Sequence, residues 1–425
     1  MSGDSADSAE RAKSAESTET AADATGSATA SASSGLPLDG VRVLELGHII
    51  AGPFCSMLLA DLGADVIKVE HPKGGDLIRG SSPVGNSSFN YVNRDKRSLT
   101  LDLKSDAALD AFFDLLDETD VVVENYAPGT AERLGIGYEQ LRETHPGLVY
   151  CSIKGFNPGP YESYPALDPI AEALSGLMSV TGHEGMPPVR SGTSIADMAA
   201  SFYGAIAVLG ALYRRDRTGE GSKVTAPLFE STVSMMGYWL AYTEAYDDVP
   251  GPMGASHPNW APYDVFETAD DEWVFIGPSG ERQWTALCEA LGLDLHEDDR
   301  FDTLPDRREN LDELMDLLRA ECETLPAADL VAGLREVGVP VAKVNSMDEV
   351  AADPHLRATD FFTEVETAEG TSRSVSVPRF PVVASGFDRP ESTDPPKLGE
   401  HTEAILSSLG YDDADIDALR RAGGV

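Results

Sequence analysis

Acid–base and acyl-carrying chemistry needs a carboxylate held in a water-poor pocket, and such groups announce themselves by interrupting apolar or small-residue runs. Three do so mid-chain: Asp168 in YPALDPIAEALSG, Glu184 in VTGHEGMPP and Asp197 in SGTSIADMAASFYGAIAVLGAL. Asp197 stands near the start of a long helix-like run whose next charge is Arg214. It reads either as a dipole partner or cap in the first turn, or, if buried, as an activated nucleophile. Asp168, directly before Pro169, reads as the cap of its own helix, and Glu184, in a glycine-rich turn, as a solvated loop charge. A basic constellation accompanies these acids. Arg94, Lys96 and Arg97 lead into a strand that ends at Lys104, and Arg133 follows ENYAPGTAERLG. In a chain so poor in cations this fits phosphate recognition or, equally, ordinary pairing with the abundant carboxylates. Asn125, Tyr126 and Gly129 stand at the carboxyl end of VVVEN, where open α/β sheets bind ligands.

The element that must position these groups is clearest from Leu38 to Asp76, LDGVRVLELGHIIAGPFCSMLLADLGADVIKVEHPKGGD. It reads as strand, sharp loop, buried helix and strand, a βαβ unit. Ala51, Gly52 and Pro53 in the loop are small or φ-restricted, so backbone N–H groups at a helix N-terminus can approach a ligand. Gly47 and Gly52 have the wrong spacing for G-x-G-x-x-G, so a nicotinamide site is not indicated. Strand-like and helix-like runs then alternate: strand 98–103, helix 107–117, strands 121–125 and 148–156, helices 169–180 and 195–215, strand 223–228 and helix 229–246. That rhythm predicts an α/β fold with a mostly parallel, Rossmann-like sheet covered on both faces. Residues 249–258 read as a linker or lid. A hairpin near 261–278 opens a smaller α+β unit with helices near 280–292, 308–323 and 326–337. Strand-like runs at 340–345 and 374–380 and a terminal helix from Thr402 follow. The expected division is a disordered acidic tail over 1–35, a large domain over 36–230 completed by 345–425, and a small domain with connecting segments over 231–344. The tail is so read because it has no Val, Ile, Leu or aromatic residue.

The 425 residues are 42% hydrophobic, an ordinary globular mixture, and carry 72 acidic against 32 basic residues for a net charge of −40. That balance argues against nucleic acid and anionic membrane as partners. Spread along the whole chain, it matches proteins of salt-saturated haloarchaeal cytoplasm, where screening removes most self-repulsion. Cys55, Cys151, Cys288 and Cys322 have no metal spacing and read as buried reduced thiols. With no apolar window judged long enough to span a bilayer and no signal pattern, a cytoplasmic location is expected.

Taken in order, LDGVRVLELGHIIAGPF, LGADVIKVEHPKGGD, NRDKRSLTLDLK, VVVENYAPGTAERLG, SGLMSVTG, SIADMAASFYGAIAVLGALYRRDRTGEG, ERQWTALCEALGL and LGEHTEAIL resemble the family III coenzyme A transferases from Leu36 to Leu419. That group includes the formyl-CoA and carnitine CoA transferases, with the α-methylacyl-CoA racemases as relatives. The resemblance implies that Asp197 is the catalytic aspartate and that Ile50, Ala51, Leu101, Lys104, Asn125, Tyr126 and Arg133 contact CoA. His71 stands where some members carry an arginine for the nucleotide phosphates, and Ile50 where some carry a glutamine. The glycine-rich flap of the formyl-CoA enzymes has no counterpart in GPSGERQW. The racemases' Gly-His-Asp motif is replaced by Ala166-Leu167-Asp168, so their histidine is missing and an acyl-CoA racemase or isomerase is the alternative rather than the first reading. A non-catalytic CoA-binding subunit is a third. The resemblance further implies CoA as co-substrate, no permanently bound cofactor or metal, an aspartyl-CoA thioester intermediate, and an interlocked, ring-like homodimer. Acyl-CoA and small carboxylic acids are the expected partners. A pair such as succinyl-CoA and mesaconate, with Arg190 or Arg282 holding a second carboxylate, is the expected substrate class.

Overall fold

The computed structural model describes residues 35–368 and 374–425. The tail expected over 1–35 lies outside them except for Gly35. Six strands, β1 (Arg42–Leu46), β2 (Asp65–Glu70), β3 (Lys96–Thr100), β4 (Val121–Glu124), β5 (Val149–Lys154) and β6 (Ser222–Pro227), form one sheet in the order β3-β2-β1-β4-β5-β6. Every pairing in it is parallel. From β1 the chain first builds toward β2 and β3, then restarts on the other side with β4. That reversal opens a crevice at the carboxyl ends of β1 and β4, the place where such sheets bind ligands.

The helices are α1 (Ala51–Ala60), α2 (Pro83–Val92), α3 (Asp106–Leu116), α4 (Thr130–Arg133), α5 (Tyr138–Thr144), α6 (Asp168–Leu174), α7 (Leu177–Val180), α8 (Ile195–Thr218), α9 (Leu228–Met235) and α10 (Gly237–Tyr246). Alternation along the strands sends residues to two cores. Val121 and Val123 of β4 pack with Val43, Cys151 and the apolar faces of α1 and α8, while Val122 packs with Leu44, Phe112 and Tyr150 on the opposite face. Burying a side chain such as Phe112 contributes on the order of 2–3 kcal/mol. The terminal helices Thr402–Ser408 and Asp413–Arg421 add Ile405, Leu406, Ile416 and Leu419 to this second core.

Several boundaries differ from expectation for local reasons. The run 169–180 is two helices, because Gly176 adopts φ +84° between α6 and α7. The run 229–246 divides at Met236 into α9 and α10. The expectation that no window reaches membrane-spanning length fails for α8, whose 24 residues have a mean hydropathy of 1.7 over their most apolar stretch. Half of that stretch is buried within this chain, against α1, α9, β5 and β6.

A separate antiparallel sheet of β7 (Asp264–Glu267), β8 (Trp273–Ile276) and β9 (Val341–Lys343) contains the expected hairpin. Phe266, Trp284, Leu318 and Leu334 form its own core with helices Glu281–Leu291, Leu311–Cys322 and Ala327–Glu336.

Candidate active site

The loop from β1 to α1 crosses itself so closely that side chains are excluded. A Cβ on Gly47 would lie 3.0 Å from the Cα of Gly52, and one on Gly52 would meet Asn125 at 3.2 Å. Between them Ile49 is held at φ +68°, a conformation that a β-branched residue adopts only when its surroundings impose it. The imposing groups are visible. Ile49 N–H donates to Asp76 Oδ1 at 3.0 Å, and His48 and Asn125 exchange two hydrogen bonds, His48 N–H to Oδ1 at 2.8 Å and Nδ2 to His48 O at 2.9 Å. Lys68 Nζ donates to Gly47 O at 2.9 Å and Lys96 Nζ to Pro53 O at 2.8 Å. Both ammoniums lie fully buried against one carboxylate, Glu45, each at 2.8 Å, and Lys68 also reaches Asp76 Oδ2 at 2.9 Å. Burial alone would push Glu45 up, but Lys68 and Lys96 overcome it and hold the carboxyl below its usual range. Burial dominates at Lys96 and pulls it down to about 8.

This network corrects one expectation. Arg94, Lys96 and Arg97 are not a phosphate patch. Arg94 is buried on Asp61 at 2.7 Å, Lys96 on Glu45, and Arg97 pairs with Asp65 at 2.5 Å.

On the far side of α1, α8 begins at Ile195 with no side-chain cap from its own Ser194. The cap comes from another helix. Asp168 Oδ1 accepts from Ala196 N–H at 2.8 Å and Asp197 N–H at 3.2 Å. Asp168 therefore caps α8, not α6 as its position before Pro169 suggested, since it is itself the first residue of α6. One turn after Asp197, Ser201 Oγ donates to Ala51 O at 2.7 Å and fastens α8 to the first turn of α1. Among the described residues no donor reaches the Asp197 carboxylate, and no acceptor reaches the N–H groups of Ala51 and Gly52. Burial, reinforced by the Asp168 charge, raises Asp197 from 3.8 to about 7.

Asp197 and Ala51 line a common cavity of about 550 Å³ with His48, Ile50, Asn125, Tyr126, Lys154, Tyr164 and Asp168. Of the candidate residues read from the sequence, Ile50, Ala51, Asn125, Tyr126, Asp168 and Asp197 meet there. His71, Leu101, Lys104, Arg133, Glu184, Arg190 and Arg282 do not line it. His71 is exposed just beyond β2, with Nε2 3.8 Å from Asp102 Oδ2. The Leu101 side chain is buried in the core beyond β3, and Lys104 and Arg133 are exposed, Arg133 donating to Thr130 Oγ1 at 2.7 Å. Glu184 lines a different cavity with Trp239 and Tyr242, and Arg190 and Arg282 line neither. Lys154 and His48 are among the lining residues that the sequence reading missed. Lys154 Nζ, at the end of β5, donates to Glu124 Oε2 at 2.7 Å and to Tyr126 O at 2.6 Å. The same strand-end rule that singled out Asn125 would have found it. His48, whose ring lies 5.7 Å from that of Tyr126, is kept below its usual range by burial and by Lys68, so it is neutral near pH 7. Among the described residues no three His, Cys, Asp or Glu side chains cluster as a metal site requires.

The site thus couples a raised, unpaired carboxylate to open N–H groups at a helix N-terminus, an arrangement suited to nucleophilic attack on an acyl carbonyl and stabilisation of the oxyanion formed. The succinyl-CoA:mesaconate CoA-transferase of Haloarcula hispanica is 36% identical over 388 residues, 88% of this chain and 96% of the relative. The human succinyl-CoA:glutarate CoA-transferase is 35% identical over 408 residues, 94% of this chain and 92% of the relative. A crystal structure of a CAIB/BAIF family protein from Brucella suis superposes with a TM-score of 0.81 at 34% identity, covering 88% of this chain and 99% of that one. The model of CoA-transferase family III matches residues 38–402, and this chain belongs to that family of enzymes.

Proposed function

We propose that this enzyme moves CoA from succinyl-CoA to mesaconate, or to a similar small dicarboxylic acid, through a thioester on Asp197. The observation that carries this reading is the meeting, in one cavity, of an unsatisfied, raised Asp197 carboxylate and Ala51, the first residue of α1, whose N–H group is free. The carboxylate attacks the donor thioester carbonyl, forming a mixed anhydride and releasing CoA thiolate. The thiolate attacks the aspartyl carbonyl, which releases the donor acid and leaves aspartyl-CoA. The acceptor carboxylate attacks that thioester to give a second anhydride, and the thiolate then takes the acceptor's acyl carbon, freeing Asp197. Each tetrahedral intermediate places its oxyanion against preorganised donors. CoA runs along the carboxyl edge of the sheet, past Ile50, Ala51, Asn125 and Tyr126 toward His71, Leu101, Lys104 and Arg133. Because Leu101 is buried, its contact is through backbone. Lys154 is the cation in the cavity wall available to a second carboxylate, in place of Arg190 and Arg282.

Racemisation requires a second acid–base group, and where the racemases' motif carries Gly-His this chain has Ala166-Leu167, so that histidine is missing. The named Haloarcula relative supports mesaconate and, with the net charge of −40, a salt-rich cytoplasm. Phe202, Tyr203, Ile206 and Tyr213 expose an apolar stripe along α8, which supports a homodimer. Incubation with succinyl-CoA and trapping with hydroxylamine test the mechanism. A modification at residue 197 is expected, and continued turnover with residue 197 unmodified overturns the reading.

A further inference from the structure

Two acids stand one turn apart on α6, where side chains four residues apart face each other. Asp168 is 6% exposed and Glu172 is fully buried. Each has one oxygen in use: Asp168 Oδ1 caps α8, and Glu172 Oε2 accepts from Ser191 N–H at 2.8 Å. Each has a second oxygen, Asp168 Oδ2 and Glu172 Oε1, buried without a hydrogen-bond partner. Asp168 is near enough to Glu172 to raise its proton affinity. Among the described residues no Lys, Arg or His forms an ion pair with either. Of the elements packed on α6, α8 presents Asp197 and α9 presents Glu230, whose Oε1 accepts from Asn157 N–H at 3.1 Å. Two bare carboxylates cannot share such a site stably, whereas a single proton between them satisfies both idle oxygens at once.

We propose that Asp168 and Glu172 share one proton and, as a singly charged acid–carboxylate pair, act as positioning residues for Asp197. The inference rests on the reading of Asp197 as nucleophile. The shared proton leaves Asp168 able to accept the Ala196 and Asp197 N–H groups. It also keeps one negative charge rather than two beside Asp197, so that carboxylate can form near neutral pH. Burial and the neighbouring Asp168 both raise Glu172, in keeping with proton retention. Glu172 further ties the Ser191 segment to the same pair, so the approach to α8 and its first turn are fixed together.

Infrared spectroscopy on Asp197→Asn isolates the pair, because that variant lacks the third acid. A buried carboxylic-acid carbonyl band is expected at neutral pH and is expected to vanish when Glu172→Gln is added. Absence of the band from Asp197→Asn overturns the proposal. On the otherwise unaltered enzyme, Glu172→Gln supplies a permanent donor to Asp168; kcat at pH 7 is expected within about threefold of normal, with the alkaline limb of the pH profile gone. Glu172→Ala is expected to lower kcat by about tenfold or more with little change in KM. Equal impairment of the Gln and Ala variants, or an unmoved alkaline limb, also overturns it. Turnover by Asp197→Asn would defeat the nucleophile reading while leaving the infrared result to stand or fall separately.

Discussion

Two clusters of buried charge flank α1, and they are built on opposite rules. Beneath the β1–α1 loop, Lys68 and Lys96 share Glu45, and Lys68 also meets Asp76. Those same ammoniums and the Asp76 carboxylate hold the backbone of Gly47, Ile49 and Pro53. At the start of α8, three acids, Asp168, Glu172 and Asp197, gather with no ion-paired cation among the described residues. The first cluster is neutralised by its own members, so its charges stay ionised and serve geometry. The second is left short of positive charge, and Glu172 and Asp197 hold their protons more tightly than usual. Rigidity comes from completing the pairs, and reactivity from withholding one.

The largest way to break this contrast is Asp197→Asn, expected to lower transfer by at least about a thousandfold while leaving the thermal transition cooperative. Steady-state assay beside calorimetry checks it. On the other side, Lys68→Met leaves Asp76 buried without its cation and Glu45 with Lys96 alone, and is expected to cost about 3–5 kcal/mol in denaturant unfolding. A fall in activity without that loss of stability would mean the network is not structural.

Asp197→Asn has a second, smaller consequence that separates the clusters by pH. The folded value of Asp197 is raised from 3.8 to about 7, so its stabilising contribution is complete below pH 3.8 and is lost as pH climbs through 7. The amide that replaces it does not titrate. The variant is therefore expected to gain about 1–3 kcal/mol on the parent enzyme between about pH 4 and pH 8, measured by urea unfolding at each pH. The finest test is Asp168→Asn, which keeps a carbonyl oxygen for the cap but removes the charge that helps raise Asp197. The acid limb of kcat/KM is expected to move down by roughly half to one pH unit. An upward shift would contradict the placement of that charge.

Much of this was legible in the chain itself. The parallel sheet could be read from runs such as VVVE, whose β-branched residues are buried on both faces, and α1 from an uncharged stretch that is buried at every residue. Asp197 was visible as a lone acid in an apolar helix. What could not be read were interactions between distant segments. That Asp168 caps α8 rather than α6 depends on how two helices meet, and nothing around Pro169 records it. Arg94 and Lys96 looked available because their partners, Asp61 and Glu45, lie 33 and 51 positions away. Lys154 escaped notice because a lysine closing a strand is ordinary until a cavity is found beside it.

The doubly constrained crossing of Gly47 and Gly52 decides where new specificity can arise. With side chains excluded at both glycines and its carbonyls tied to buried lysines, that wall of the cavity is fixed for every acyl group the enzyme meets. The opposite wall is different: residues 157–165 are exposed, and the rings of Tyr161 and Tyr164 stack on each other at 5.2 Å. Exchange of acceptor preference among relatives is therefore expected to travel with that short stretch, and chimaeras carrying it alone are the economical route to altered acid selectivity.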